Sequence, residues 1–129
     1  MSFYFLEEEI NFLMKQALSK LPMLPYAYAL EQWRWSVFSG KTTPDSYNAD
    51  WWSLRNKLQG VKAPVERTEE EFDPGCFLHV DKNVEYVPYF LSTIIQFSMH
   101  KSLCDAAGQK GPLQKCSICK SKEAGEKLK

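Results

Sequence analysis

His100 and Cys104 stand four residues apart, one turn of a helix, and Cys116-Ser-Ile-Cys119 has the Cys-x-x-Cys spacing of a metal clasp. One imidazole with three thiolates would close a tetrahedral zinc site. The rival chemistry is a disulfide. Eleven residues separate Cys104 from Cys116, and Gly108 and Gly111-Pro112 among them can fold the chain back. Such a bridge would constrain the unfolded chain by about 3 kcal/mol. Free thiols are the third reading, and the spacing leaves all three open. Cys76 has no obvious local partner.

His79 lies in a segment without helical periodicity, and Tyr86 and Tyr89 follow it by seven and ten residues at the start of a helix. An imidazole and two phenols on one cavity would offer hydrogen bonds to an oxyanion; the plainer reading is aromatic packing. Trp51 and Arg55 share a helical face at i, i+4, with Trp52 beside them. Cation–π packing is the plain reading there, and a cation held against aromatic walls can also hold an anion. The sequence contains no His-Glu-x-x-His, no glycine-rich phosphate loop and no serine, histidine and aspartate set.

The elements that must position these residues are helical. Ile10, Leu13, Met14, Ala17, Leu18 and Leu21 mark one face of a helix over 7–21, with Glu7, Glu8 and Glu9 at its start and Pro22 at its end. A second helix is predicted over 25–39, with Pro25 in its first turn and Gly40 as its stop. Tyr26, Leu30, Trp33 and Val37 form one stripe of it, while Tyr28, Trp35 and Phe38 make it apolar nearly all round. A third follows a Thr43 cap, Pro44 and Asp45, carries Tyr47, Trp51, Leu54 and Leu58, and closes at Gly60. Residues 61–84 read as a long loop, with Glu69-Glu70-Glu71 and Asp73-Pro74-Gly75 in it. A fourth helix spans about 87–107, and the Lys-rich tail from Lys120 suits a short solvated helix. The fold class is therefore all-α, with two helices too apolar for the surface of a small bundle.

The 129 residues suffice for one domain. Sixteen basic side chains balance sixteen acidic ones, so net charge gives no reason to expect nucleic acid or an anionic membrane as partner. Apolar content of 44% and charged content of 25% exclude disorder as a class, and the 14% aromatic content fits helices buried on more than one side or a lined pocket. No segment has the ~20 apolar residues of a membrane span. The N-terminus reads as no signal peptide, since it lacks a basic start and turns acidic after a few apolar residues.

Eight strings follow one another in an order that resembles the C-terminal half of the angiotensin-converting enzyme family, zinc peptidyl-dipeptidases. They are Ile10-Asn-Phe-Leu-Met-Lys-Gln-Ala-Leu, Gln32-Trp-Arg-Trp, Trp51-Trp-Ser-Leu-Arg, Phe72-Asp-Pro-Gly, Ile95-Gln-Phe, Leu103-Cys-Asp-Ala-Ala-Gly, Gly111-Pro-Leu-Gln-Lys-Cys and Ser121-Lys-Glu-Ala-Gly. The resemblance covers about 9–129, a partial catalytic domain, and leaves 1–8 as a leader unlike the family. It implies part of a larger mainly helical peptidase domain, a carboxypeptidase-type hydrolase that removes C-terminal dipeptides, and an extracellular or cell-surface setting. It implies a disulfide between Cys104 and Cys116. It implies catalytic roles for His79 and Tyr89 toward the oxyanion, contact of Tyr86 with the terminal carboxylate of a peptide substrate, and a chloride site at Trp51 and Arg55.

Two positions depart from the family pattern. Phe77 stands where the family has a lysine for the terminal carboxylate, and Pro88 stands where it has the arginine of a second chloride site. The zinc ligands of the family lie N-terminal to the matched region, so no residue of this sequence is assigned to the metal. The resemblance then implies the substrate and transition-state half of a metallopeptidase, whose partner would be the zinc-ligand half and which is inactive by itself. A peptide-binding module that no longer cleaves is the alternative.

Overall fold

A computed structural model describes the backbone from Phe3 to Lys129 and the side chains from Glu7 onward. Six α-helices and three short 3-10 turns make up the described residues, with no strand among them. The helices are α1 (Phe3–Lys20), α2 (Met23–Phe38), α3 (Tyr47–Gln59), α4 (Leu78–Asp81), α5 (Val87–Ala106) and α6 (Lys122–Lys127). None is long and apolar enough to cross a membrane. The chain divides into two compact units, residues 15–90 and residues 91–129 with 1–14.

Helix α1 begins four residues before the predicted start, because no breaker separates the leading aromatic run from the acidic one. Glu7, Glu8 and Glu9 therefore stand inside the helix rather than at its positive end. Glu9 is held otherwise: Lys115 Nζ lies 2.7 Å from its carboxylate and Gln114 Nε2 donates to it at 2.8 Å. These bonds lower the Glu9 pKa, the Lys115 contact first. The apolar face predicted over 7–21 is solvent-facing, with Ile10, Leu13, Met14, Leu18 and Leu21 all between 41% and 67% exposed.

The 15–90 unit is built on α2 packed against α3. Its core joins Ala27, Leu30 and Trp33 of α2 to Trp51 of α3 and to Tyr86, with Tyr26, Val37, Tyr47 and Phe77 packed around them. The predicted α2 stripe is the buried one, and Tyr28, Trp35 and Phe38 lie exposed on its other side. Between the stripes α2 buries an ion pair, Glu31 with Arg34. Arg34 Nη2 also donates to Asn83 Oδ1 at 3.0 Å. Asn83 adopts a left-handed φ of 52°, which asparagine tolerates better than most residues.

Helix α3 does not start from Thr43. A 3-10 turn, Pro44–Ser46, intervenes and moves Thr43 away from the first α3 amides. The cap comes from far along the chain: the two carboxylate oxygens of Glu69 accept from Asn48 N and Ala49 N, both at 2.8 Å. An anion at a helix N-terminus is favoured by the free N–H groups and the dipole. Gly60, at φ 68°, ends the helix as predicted.

The 61–84 segment is therefore tied down, and its latter part carries a 3-10 turn, Asp73–Cys76, and the single turn of α4. Elements of four residues are too short to leave a periodic signature. Buried Asn48 accepts from Asp73 N at 3.1 Å and donates from Nδ2 to Thr68 O at 3.0 Å. Asp73 accepts from Trp52 Nε1 at 2.7 Å and from Arg67 Nη2 at 2.9 Å. Gly75 is required here, since a Cβ at that position would overlap the Phe72 ring.

In the other unit Cys104 and Cys116 are joined by a disulfide, while Cys119 is free and exposed. Ser121 caps α6, accepting from Ala124 N at 3.2 Å. Leu91, Ile94, Ile95, Phe97 and Met99 of α5 are each about half exposed.

Candidate functional site

Three short elements bring the predicted donors together. Phe77 and His79 come from the turn leading through α4, Tyr86 from the irregular approach to α5, and Tyr89 from the first turn of α5. Pro88 fits that turn, where its missing N–H is no loss. The Val84 N–H closes onto His79 O at 2.7 Å and the Tyr89 N–H onto Tyr86 O at 3.1 Å, so local backbone turns fix the spacing.

The rings meet closely. His79 lies edge to face against Tyr86 (centroids 4.8 Å, 81°) and against Tyr89 (5.5 Å, 81°). Tyr86 and Tyr89 are 4.6 Å apart. Phe77 stacks on His79 at 5.3 Å and meets Tyr86 edge-on at 5.0 Å. Tyr86 is buried and donates to Met23 Sδ at 3.6 Å, while the Tyr89 ring is 45% exposed. His79 Nδ1 is buried and has no hydrogen-bond partner. Burial, and then the neighbouring Tyr89, raises the Tyr86 pKa, so this phenol keeps its proton at neutral pH.

Tyr26 of α2 links this cluster to the second predicted group. Its ring meets Phe77 at 5.5 Å, Tyr86 at 5.8 Å and Trp51 at 6.1 Å. The Arg55 guanidinium then sits over Tyr26 (4.9 Å), Trp51 (5.1 Å) and Trp52 (5.7 Å). Its Nε is buried and unpaired. Desolvation is the chief cause that lowers the Arg55 pKa, and it raises Tyr26 to about 12. A guanidinium walled by three rings, with a donor left unused, suits an anion.

The sequence reading did not single out Tyr26 as the link between the two groups. Its position in the apolar stripe was a core signal and nothing more. Nor did the acidic run reveal that Glu69 caps α3, because the pairing spans about twenty residues without local spacing. A hollow of about 460 Å³ in the same unit is lined by other residues, Trp33, Arg34, Phe38, Phe72 and Asn83 among them.

Within an all-helical frame, an imidazole and two phenols thus gather beside a guanidinium walled by rings. The chain matches the family described as angiotensin-converting enzyme over residues 5–129 and belongs to that family. It is 55% identical over 122 residues to angiotensin-converting enzyme of Mesocricetus auratus, covering 95% of this chain and 9% of that protein. The corresponding protein of Theromyzon tessulatum is 52% identical over 120 residues, 93% of this chain and 20% of that protein. An angiotensin-converting enzyme-like protein, Ace3, of Mus musculus is 44% identical over 122 residues. The chain thus spans a small part of the length of these relatives.

Proposed function

We propose that this chain carries the substrate-binding and transition-state half of a zinc peptidyl-dipeptidase and does not cleave peptides by itself. The observation that carries the reading is the convergence of His79, Tyr86 and Tyr89 on one cluster. In this reading His79 and Tyr89 donate to the oxyanion that forms on the scissile carbonyl, and the Tyr86 O–H leaves Met23 Sδ to donate to the terminal carboxylate of the peptide. Chloride is held at Arg55 against Trp51, where the unpaired Nε offers a hydrogen bond and the charge is otherwise unmatched in the unit's core.

The residues present do not fit the family's catalytic zinc. The donor cluster holds one imidazole and phenols, with no carboxylate or thiolate among them. Among the described residues, the histidine, cysteine and acidic side chains that gather within ligand reach are His100, Cys104 and Cys116, and both sulfurs are bonded to each other. No step through the metal is therefore assigned to this chain. The zinc-ligand half of a family domain is the proposed partner, a peptide with a free C-terminus the proposed substrate, and the cell surface or extracellular space the proposed setting. The half-exposed apolar side chains of α1 and α5 agree with such a partner.

A peptide-binding module without cleavage is the second reading. Phe77 favours it, because its ring fills the cluster where a cation would be needed to match a carboxylate.

The test uses the purified chain and a chimera. Residues 9–129 replace the corresponding segment of a family relative that keeps its own zinc ligands. The isolated chain with added zinc is expected to release no dipeptide, and the chimera to release it in a zinc-dependent manner. Dipeptide release by the isolated chain, or a folded chimera that binds zinc without turnover, rejects the proposal, and the second outcome with retained peptide binding supports the binding module.

A further inference from the structure

We propose that the Cys104–Cys116 bridge masks a second state of the C-terminal unit, a zinc site formed by His100, Cys104, Cys116 and Cys119 when the disulfide is reduced. The site is three-quarters assembled in the bonded form. Ligand atoms of His100, Cys104 and Cys116 lie within 4.8 Å of one another. A tetrahedral zinc with Zn–S ~2.3 Å and Zn–N ~2.0–2.1 Å sets its N···S edges at about 3.6 Å. His100 Nδ1 lies 3.9 Å from Cys104 Sγ, slightly beyond that edge, so a small turn of the ring brings it to ligand distance.

The imidazole is also oriented. His100 Nε2 lies 2.9 Å from the Leu113 carbonyl oxygen, which can only accept, so Nε2–H faces it and Nδ1 is the nitrogen that a neutral ring leaves to a metal. In metal sites a ligating histidine commonly donates its other N–H to a backbone carbonyl, which fixes the ring's orientation. Cys104 is buried on the same helical face, one turn after His100, and Cys116 is partly buried. Cys119 follows Cys116 at the spacing of a metal-binding pair, exposed and unbonded, with Lys120 turning the chain at φ 65° directly after it.

The step balances as a two-electron reduction. A dithiol reductant gives two electrons and two protons to the Cys104–Cys116 bond, which breaks, and the reductant closes into its own disulfide. Zinc then displaces the thiol protons of Cys104, Cys116 and Cys119 to solvent and takes the Nδ1 lone pair of His100. The metal replaces the covalent link between α5 and the Cys116 segment, so the same stretch is clamped in both redox states.

The 129-residue chain, oxidised or treated with a dithiol that is then removed anaerobically, is titrated with Co²⁺ and Zn²⁺. The reduced chain is expected to bind one ion with thiolate-to-cobalt charge-transfer absorption and the intense visible bands of tetrahedral cobalt; the oxidised chain is expected to show neither. His100→Ala and Cys119→Ser are expected to lower zinc affinity at least ~10-fold, the loss that even an outer-shell partner brings. Cys76→Ser is expected to change nothing. Both ligand variants retain the disulfide when oxidised, so circular dichroism of that form confirms their folding. Equal uptake by the oxidised chain, no uptake by the reduced chain, unchanged affinity in either ligand variant, or an equal loss in Cys76→Ser overturns the proposal.

Discussion

The His79 imidazole meets the Tyr86 ring edge to face, centroids 4.8 Å apart at 81°, across seven residues of chain. The contact leaves His79 Nδ1 buried and unpaired. A buried polar atom without a partner costs free energy in the folded chain, and a bound oxyanion or carbonyl would relieve that cost. The packing of these two rings leaves this nitrogen of His79 without a partner in the protein.

In the chimera described above, Tyr89→Phe and His79→Ala are each expected to lower turnover about 100-fold or more, since loss of one oxyanion donor typically costs ~3–4 kcal/mol in the transition state. Steady-state kinetics with one peptide check this. A fall in KM-limited binding with turnover unchanged would remove both residues from the transition-state role.

Phe77→Lys is expected to raise the preference of the chimera for free-acid over amidated peptides by about 10- to 100-fold, the worth of a charge-assisted hydrogen bond of roughly 1.5–3 kcal/mol. The phenyl ring touches Tyr86 at 5.0 Å, so a lysine at this position lies beside the group assigned to the carboxylate. Matched pairs of free-acid and amidated peptides give the ratio. An unchanged ratio places the carboxylate elsewhere.

Tyr26 makes the stability pH-dependent in the alkaline range. Burial chiefly, and then Tyr86, lift its pKa from 10.0 to about 12 in the folded chain. Between those values the unfolded chain loses the proton first, so the unfolded state binds fewer protons and stability falls as pH rises. The contribution is full below pH 10 and is lost toward pH 12. Urea midpoints across this window are expected to fall more steeply for the native chain than for Tyr26→Phe. Parallel slopes would show that Tyr26 titrates as an exposed tyrosine.

Glu69→Ala is expected to lower stability by about 1 kcal/mol, the usual worth of a helix cap. Both oxygens of Glu69 serve the first α3 amides, whereas Glu70 is exposed and is expected to tolerate alanine within about 0.5 kcal/mol. Urea denaturation of the two variants compares them directly. Equal losses would mean that the acidic run acts through its charge and not through the cap.

Helix stops, turns and faces are local chemistry, and these were legible in the sequence. Gly40, Gly60 and Gly108 all take the left-handed conformation that their place after a helix requires, and Pro25, Pro44 and Pro88 stand in first turns. The Trp51 and Arg55 stacking follows from an i, i+4 spacing in the same way. The aromatic repeat of α2 named its buried stripe correctly, because a 3.6-residue period reports a face directly. In α1 the same kind of repeat marked a face that is solvent-exposed here, since periodicity tells which side is apolar and not what covers it. Only the tertiary structure decided that Glu69 reaches back to α3, that Tyr26 joins the two site groups, and that the 61–76 segment is fastened through Asn48 and Asp73. Each of these depends on pairing across roughly twenty or more residues of chain, where the energy lies in burial and hydrogen-bond geometry and leaves no spacing to read.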